Sequence, residues 1–288
     1  MTQRGDFFMP KRKRMSNKKR IERFITEGRG QGTGNEYKPW ILIQDVPSAG
    51  RSTRLKGIKT NRQHEFLSDM ERDYFYILEY SDEVIDIREQ FPLLPLEDTI
   101  IIAKELGIEH PVDPQTKEPI VMTTDFLLTK NNNGNKENVA RTVKRLDDLM
   151  NKRTLEKFEI EKRYWQKRDV DWGIVTENEI NKTLAQNISF IHSYYNIENI
   201  DSLIGLKENQ IEDLILEYTK RLLDNKSSVR EISYLFDDDM FLKRGTGISI
   251  FKYLLIRKII QIDLFEPIDI NKIIDIRLEN DISMESVI

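Results

Sequence analysis

Four residues stand where a phosphodiester-cleaving site would want them: Asp125, Lys144, Glu71 and Glu161. Asp125 lies inside "VMTTDFLLTK", a stretch whose composition predicts a strand, where an aspartate is disfavoured unless something local repays it. The Asn/Gly run "NNNGN" predicts a turn into a second strand, "ENVARTVKR". Strand alternation puts Thr142 and Lys144 on one face of it, with Val139, Arg141 and Val143 on the other. An acid and a lysine on neighbouring strands suit metal-assisted hydrolysis: carboxylates hold a hard cation that activates water, and an ammonium group balances charge on the phosphate. One aspartate is too few ligands, so further acids must converge on it.

Two predicted helices can bring them. In "QHEFLSDMERDYFYILEYSD", residues Leu67, Met70, Tyr74, Ile77 and Leu78 recur at helical spacing and predict one helix, with Glu71 at the border of its apolar stripe. A salt bridge is the ordinary explanation for such an acid. In "RTLEKFEIEKRYWQKR", Glu161 lies between Phe158 and Trp165 in the same way. "EVIDIREQFPLLP" and "VDWGIVT" read as further strands, "YKPWILIQDVP" as another, and the prolines at 111 and 114 mark a loop. The order helix, three strands, helix, strand predicts an α/β unit over residues 36–176, a mixed sheet covered by helices.

Residues 177–288 read as mostly helical, with helix, turn, helix and a hairpin in "IIQIDLFEPIDI", the order of a winged helix. Residues 1–35 read as a basic arm and connector. "GRGQGTG" within it does not follow a strand and open a helix, as a phosphate-cradling loop would.

Among 288 residues there is no cysteine, and His64, His110 and His192 lack ligand spacing, so any metal would be oxygen-bound: Mg²⁺, with Mn²⁺ as a substitute. No run approaches 18 apolar residues, and the N-terminus has no apolar segment of the secretory kind, so a cytoplasmic protein without membrane contact is expected. The net charge of −4 hides an asymmetry: residues 1–62 carry sixteen Lys/Arg against five Asp/Glu. That end, including "RSTRLKGIKTNR", is expected to face DNA. The acidic remainder, including "FDDDM" at 236–240, points to a protein partner.

The order of elements with Glu71, Asp125 and the Val143–Lys144 pair resembles the PD-(D/E)xK restriction-endonuclease-like fold. The stretches "EGRGQGTGNEYKPW", "VPSAGRS", "LSDMERDYF", "DIREQFPLLP", "TTDFL" and "RTLEKFEIEKRYWQ" resemble the TnsA family, endonuclease subunits of bacterial heteromeric transposases. The resemblance implies cleavage of the non-transferred strand at the 5′ ends of a transposon, with a TnsB-type DDE transposase and a TnsC-type AAA+ ATPase as partners. It implies Glu71 and Asp125 as metal-binding acids, the backbone carbonyl of Val143 as a main-chain ligand, Lys144 as the catalytic lysine and Glu161 as an additional acid. Thr142 departs from the family's glutamine. Three readings follow: Glu161 takes over the coordination, Thr142 holds a water that completes the shell, or the site is impaired and the chain is a DNA-binding adaptor between TnsB-bound ends and TnsC.

Overall fold

A computed structural model describes residues 17–46, 51–224 and 226–279. In chain order the elements are α1 (Asn17–Thr26), β1 (Thr53–Lys56), β2 (Gln63–Phe66), α2 (Asp69–Tyr80), β3 (Val84–Pro92), α3 (Leu96–Glu105), β4 (Thr123–Asn132), β5 (Asn135–Val143), α4 (Lys152–Gln166) and β6 (Asp171–Val175). There follow α5 (Lys182–His192), α6 (Glu208–Asp224), α7 (Val229–Asp239), α8 (Thr246–Ile256), β7 (Ile260–Gln261) and β8 (Arg277–Leu278). The first sixteen residues of the basic arm lie outside the described residues.

The central sheet has the order β3-β4-β5-β6, antiparallel except for the parallel β5–β6 pair that α4 connects. Alternation fills both faces. Phe126, Leu128 and Val139 point into a core with Phe75 and Leu78 of α2, whereas Leu127 and Ala140 meet Ile160 and Trp165 of α4. This is the expected α/β unit, a mixed sheet flanked by helices, with β1, β2 and α3 in addition. The single helix expected from residue 63 begins only at Asp69, because Ser68 is an extended N-cap and Gln63–Phe66 pair with β1.

"YKPWILIQDVP" is not a strand. Residues 34–36 and 43–45 are short 3₁₀ turns, and the Trp40 N–H donates one backbone bond to Gln90 O at the edge of β3 (3.2 Å). Nor is the glycine-rich segment a free connector. Arg29 is buried, stacks 3.8 Å from the Phe24 ring, donates to Trp40 O and pairs with Asp45. Gly30 has φ +72°, and a Cβ there would stand 2.3 Å from Pro92 Cγ. Gly30→Ala is therefore expected to cost about 1–3 kcal/mol through left-handed strain and the clash with a stiff ring. The check is chemical denaturation against wild type; a change below about 0.5 kcal/mol would refute it.

The C-terminal helices share one core built on Tyr218, Phe236, Phe251 and Leu254. The hairpin expected within "IIQIDLFEPIDI" is absent. Ile260 and Gln261 pair instead with Leu278 and Arg277, while Ile262, Ile268 and Ile270 pack onto the helices. The acidic run is also tied into the fold, with Asp237 buried and Asp238 and Asp239 exposed. Asp237 caps α8 through the Gly245 and Gly247 N–H groups (2.7 and 2.8 Å), Asp238 pairs with Arg244, and Asp239 with Arg221. Helix α5 joins this unit to the sheet: His192 Nε2 lies 3.0 Å from Glu79 of α2, whose carboxylate also accepts the Ile58 and Lys59 N–H groups.

Candidate active site

Glu71 is fixed by the start of its helix. The Ser68 hydroxyl accepts the Glu71 N–H (3.2 Å) and donates to Oε1 (2.8 Å), and the Leu67 N–H donates to Oε2 (3.1 Å). A Ser-x-x-Glu cap thus also sets the acid's direction. The salt bridge that would ordinarily explain such an acid is absent: among the described residues no Lys or Arg pairs with Glu71, Asp125 or Glu161.

Asp125 stands where the β4–β5 ladder ends. Its Oδ2 accepts the Val143 N–H at 2.8 Å, so the Val143 peptide lies against the acid. Its Oδ1 accepts from Gln90 Nε2 at 3.3 Å, and the same nitrogen lies 3.4 Å from Glu71 Oε2. Gln90 has φ +48°, and alternation breaks there. Ile87 belongs to the α2-side core, yet Phe91, four positions on, packs against Trp165 of α4. Thr124 has turned likewise, accepting from Trp165 Nε1 at 2.7 Å.

Lys144 follows β5, its N–H donating to Val175 O (2.9 Å) and its half-exposed Nζ 3.4 Å from Asp148. Glu161 is buried on α4, and its Oε1 accepts from Thr124 Oγ1 (2.7 Å), Trp172 Nε1 (2.9 Å) and the Thr142 hydroxyl. Thr142 is thus turned toward Glu161. All six residues expected at the site line one cleft of ≈ 380 Å³. The cleft also contains Lys157, which the sequence reading did not single out. Its pKa is lowered by burial and by the neighbouring Arg153 and Lys144.

Burial raises Glu71 to about 8, helped by the Asp125 charge. Burial raises Asp125 to about 6 against the Val143 and Gln90 bonds, and Glu161 to about 7 against its three donors. Acids whose folded pKa is raised bind more protons in the native than in the unfolded state, so stability falls as pH rises through that window. In chelating buffer the thermal midpoint is expected to fall between pH 5 and pH 8, by several degrees given about 2–4 °C per kcal/mol. Calorimetry with and without Mn²⁺ checks this; a midpoint that is flat or rises with pH in the chelator would contradict it.

The donor set fits a hard divalent cation. Three carboxylates without an ion-pair partner among the described residues, Glu71, Asp125 and Glu161, line one cleft, and its lining includes no histidine or cysteine. Among the described residues no three His, Cys, Asp or Glu groups could together hold an ion. A cation would thus take Glu71 and Asp125 as charged ligands and neutral oxygens for the rest, the Val143 carbonyl and water being suited. Glu161 accepts three bonds through Oε1, one of them from the Thr142 hydroxyl.

Residues 81–177 match the family model described as TnsA-like endonuclease N terminal, and residues 179–264 that described as TnsA endonuclease C terminal. The chain belongs to the TnsA family. It is also 49% identical over 173 residues to "Transposon Tn7 transposition protein TnsA" of Escherichia coli, a match covering 60% of this chain and 62% of that protein's length. The two TnsA matches meet at residue 178, in the connection between β6 and α5. The cleft residues from Asp125 to Glu161 lie inside the first match, and Glu71 lies ahead of it.

Proposed function

We propose that this chain is the endonuclease subunit of a Tn7-like transposase, hydrolysing the non-transferred strand at the 5′ ends of a transposon. The observation that carries the reading is one cleft holding Glu71, Asp125 and Lys144 in a chain of an endonuclease family. A divalent cation, Mg²⁺ or Mn²⁺, would supply the activated water and the charge neutralisation that the reaction needs. Glu71 and Asp125 would hold it beside the Val143 carbonyl. The Lys144 ammonium would face the scissile phosphate, with Lys157 and Arg153 extending that cationic wall. Thr142 would hold Glu161 in place.

Residues 36–176 form the endonuclease unit in this reading, and 177–288 a winged-helix-like unit for partner and DNA contact, with a TnsB-type transposase and a TnsC-type ATPase as partners. The exposed Arg51 and Lys56 suit the DNA backbone, as does Arg54, which also pairs with Glu65, whereas Arg62 and Lys59 are engaged inside the fold. No described helix is long and apolar enough to cross a membrane; the bacterial cytoplasm, where the DNA is, is the proposed setting.

The test is strand-resolved cleavage of a labelled transposon end in Mg²⁺ with both cognate partner proteins. Cleavage of the non-transferred strand by wild type supports the reading. Cleavage by Thr142→Gln alone makes the native chain an impaired adaptor, and cleavage without partners makes it a free-standing nuclease.

A further inference from the structure

Gln90 has no part in the mechanism above, yet its placement is the least ordinary in the sheet. It is 2% exposed and sits opposite Asp125, between the paired positions Glu89↔Phe126 and Phe91↔Thr124. Its backbone is left-handed, a conformation that costs a residue with a Cβ about 1–3 kcal/mol and persists only where its surroundings enforce it. A glutamine gains nothing locally from that twist. What the twist achieves is to aim the side chain between two elements distant in sequence, β4 and the first turn of α2.

The hydrogen-bond arithmetic is complete. A carboxamide nitrogen carries two hydrogens. One faces Glu71 Oε2 at 3.4 Å and the other Asp125 Oδ1 at 3.3 Å. The amide oxygen is held by the Thr123 hydroxyl, which donates at 3.2 Å, so the nitrogen is the end left for the acids. Gln90 is not among the residues lining the cleft, whereas Thr123, Glu71 and Asp125 are. The amide therefore reaches the two carboxylates from behind, leaving their other sides toward the cleft.

We propose that Gln90 is the positioning residue of the site, clamping Glu71 and Asp125 from behind with one N–H each so that both face the same point of the cleft. It does not face the cation itself. The inference rests on the reading of the cleft as a cation-dependent endonuclease site. Its physical basis is general: ligand carboxylates need hydrogen-bonded support to hold their orientation, and loss of that support costs about 10–100-fold in metal affinity. The left-handed backbone at Gln90 and the hydroxyl of Thr123 are the two devices that place the clamp.

The test is Mn²⁺ binding to the full-length protein, followed by paramagnetic resonance of the free ion, with Asp125→Ala as control. Gln90→Met keeps the shape and removes both donors; Gln90→Glu keeps the shape and offers only acceptors. Thr123→Val leaves the clamp but frees its orientation, and keeps the test open should either Gln90 variant not fold. The expected results are a loss of about 10–100-fold for Gln90→Met, at least as large a loss for Gln90→Glu, and a loss of several-fold for Thr123→Val. If Gln90→Glu binds more tightly than wild type, the side chain faces the cation and the clamp is wrong. If Gln90→Met and Thr123→Val bind as wild type does while Asp125→Ala does not, the clamp fails and the endonuclease reading stands. If wild type has no site that Asp125→Ala removes, both fail together.

Discussion

Asp125→Ala is expected to lower non-transferred-strand cleavage by at least about a thousandfold, on the order of 4 kcal/mol of transition-state stabilisation. The size follows from what one side chain does. In the proposed site Asp125 is one of the two acids that would hold the cation, and its Oδ2 also accepts the Val143 N–H. Glu161 is engaged through Oε1 with Thr124, Thr142 and Trp172, so it is not expected to replace Asp125 fully. The fold should survive, because no ion pair is lost. Lys144→Ala provides the contrast: cleavage should drop while Mn²⁺ affinity stays within a few-fold of wild type. Strand-resolved rates and a thermal melt on the same preparations decide the matter, and an Asp125→Ala protein that cuts at the wild-type rate would end the assignment.

The largest stability effect is expected at Arg62, which lies inside the fold instead of facing DNA. Its guanidinium donates to both oxygens of the fully buried Glu89 (2.8 and 2.5 Å) and to Ile87 O (2.8 Å). His64 Nδ1 lies 2.7 Å from the same carboxylate. Burial alone would raise Glu89, but the facing His64 and Arg62 overcome it and hold the acid at about 2. This contribution is present above pH 4.5 and is lost only as pH falls toward 2, outside the window in which the cleft acids titrate. Arg62→Met strands a buried carboxylate and is expected to cost about 3–5 kcal/mol. Adding Glu89→Leu should restore much of that, because the unpaired charge goes too. Urea titrations of the three variants test it; a double variant no more stable than Arg62→Met would refute the account. Glu89 is the residue before Gln90, so the pair also braces the kinked strand behind the site.

Local patterns explain why the carboxylates were legible. Asp125 and Lys144 stand out because a turn and strand alternation are short-range features, Glu71 and Glu161 because each borders a helical stripe, and the structure brings all four to one cleft. The start of α2 was misplaced because the period of Leu67, Met70 and Tyr74 runs smoothly through Ser68, although Ser68 and Glu71 carry the spacing of a capping box. Helix α3 was lost between prolines, one of which, Pro95, is its N-cap. "YKPWILIQDVP" has the composition of a strand but little chance of pairing, with Pro39 unable to donate. Arg62 looked like a DNA contact because its partner is 27 positions away. Gln90 carries no signal of its own in the sequence, because it follows the charged Arg88 and Glu89 and a further polar side chain there does not stand out. Its partners come from two other elements, and no periodicity announces them.

The parallel pairing of β5 with β6 also sets when in the life of a chain the cleft can first exist. Antiparallel neighbours form as soon as both are made, but a parallel strand must wait for the crossover between them. Here that crossover is α4, which carries Glu161, and β6 holds the end of β5 through the bond from the Lys144 N–H to Val175 O. At roughly 5–20 residues per second, on the order of ten seconds separate the making of Glu71 from that of Glu161. At the end of that interval Glu71, Asp125 and Lys144 have been made, but β6 has not, and the end of β5 lacks its parallel neighbour.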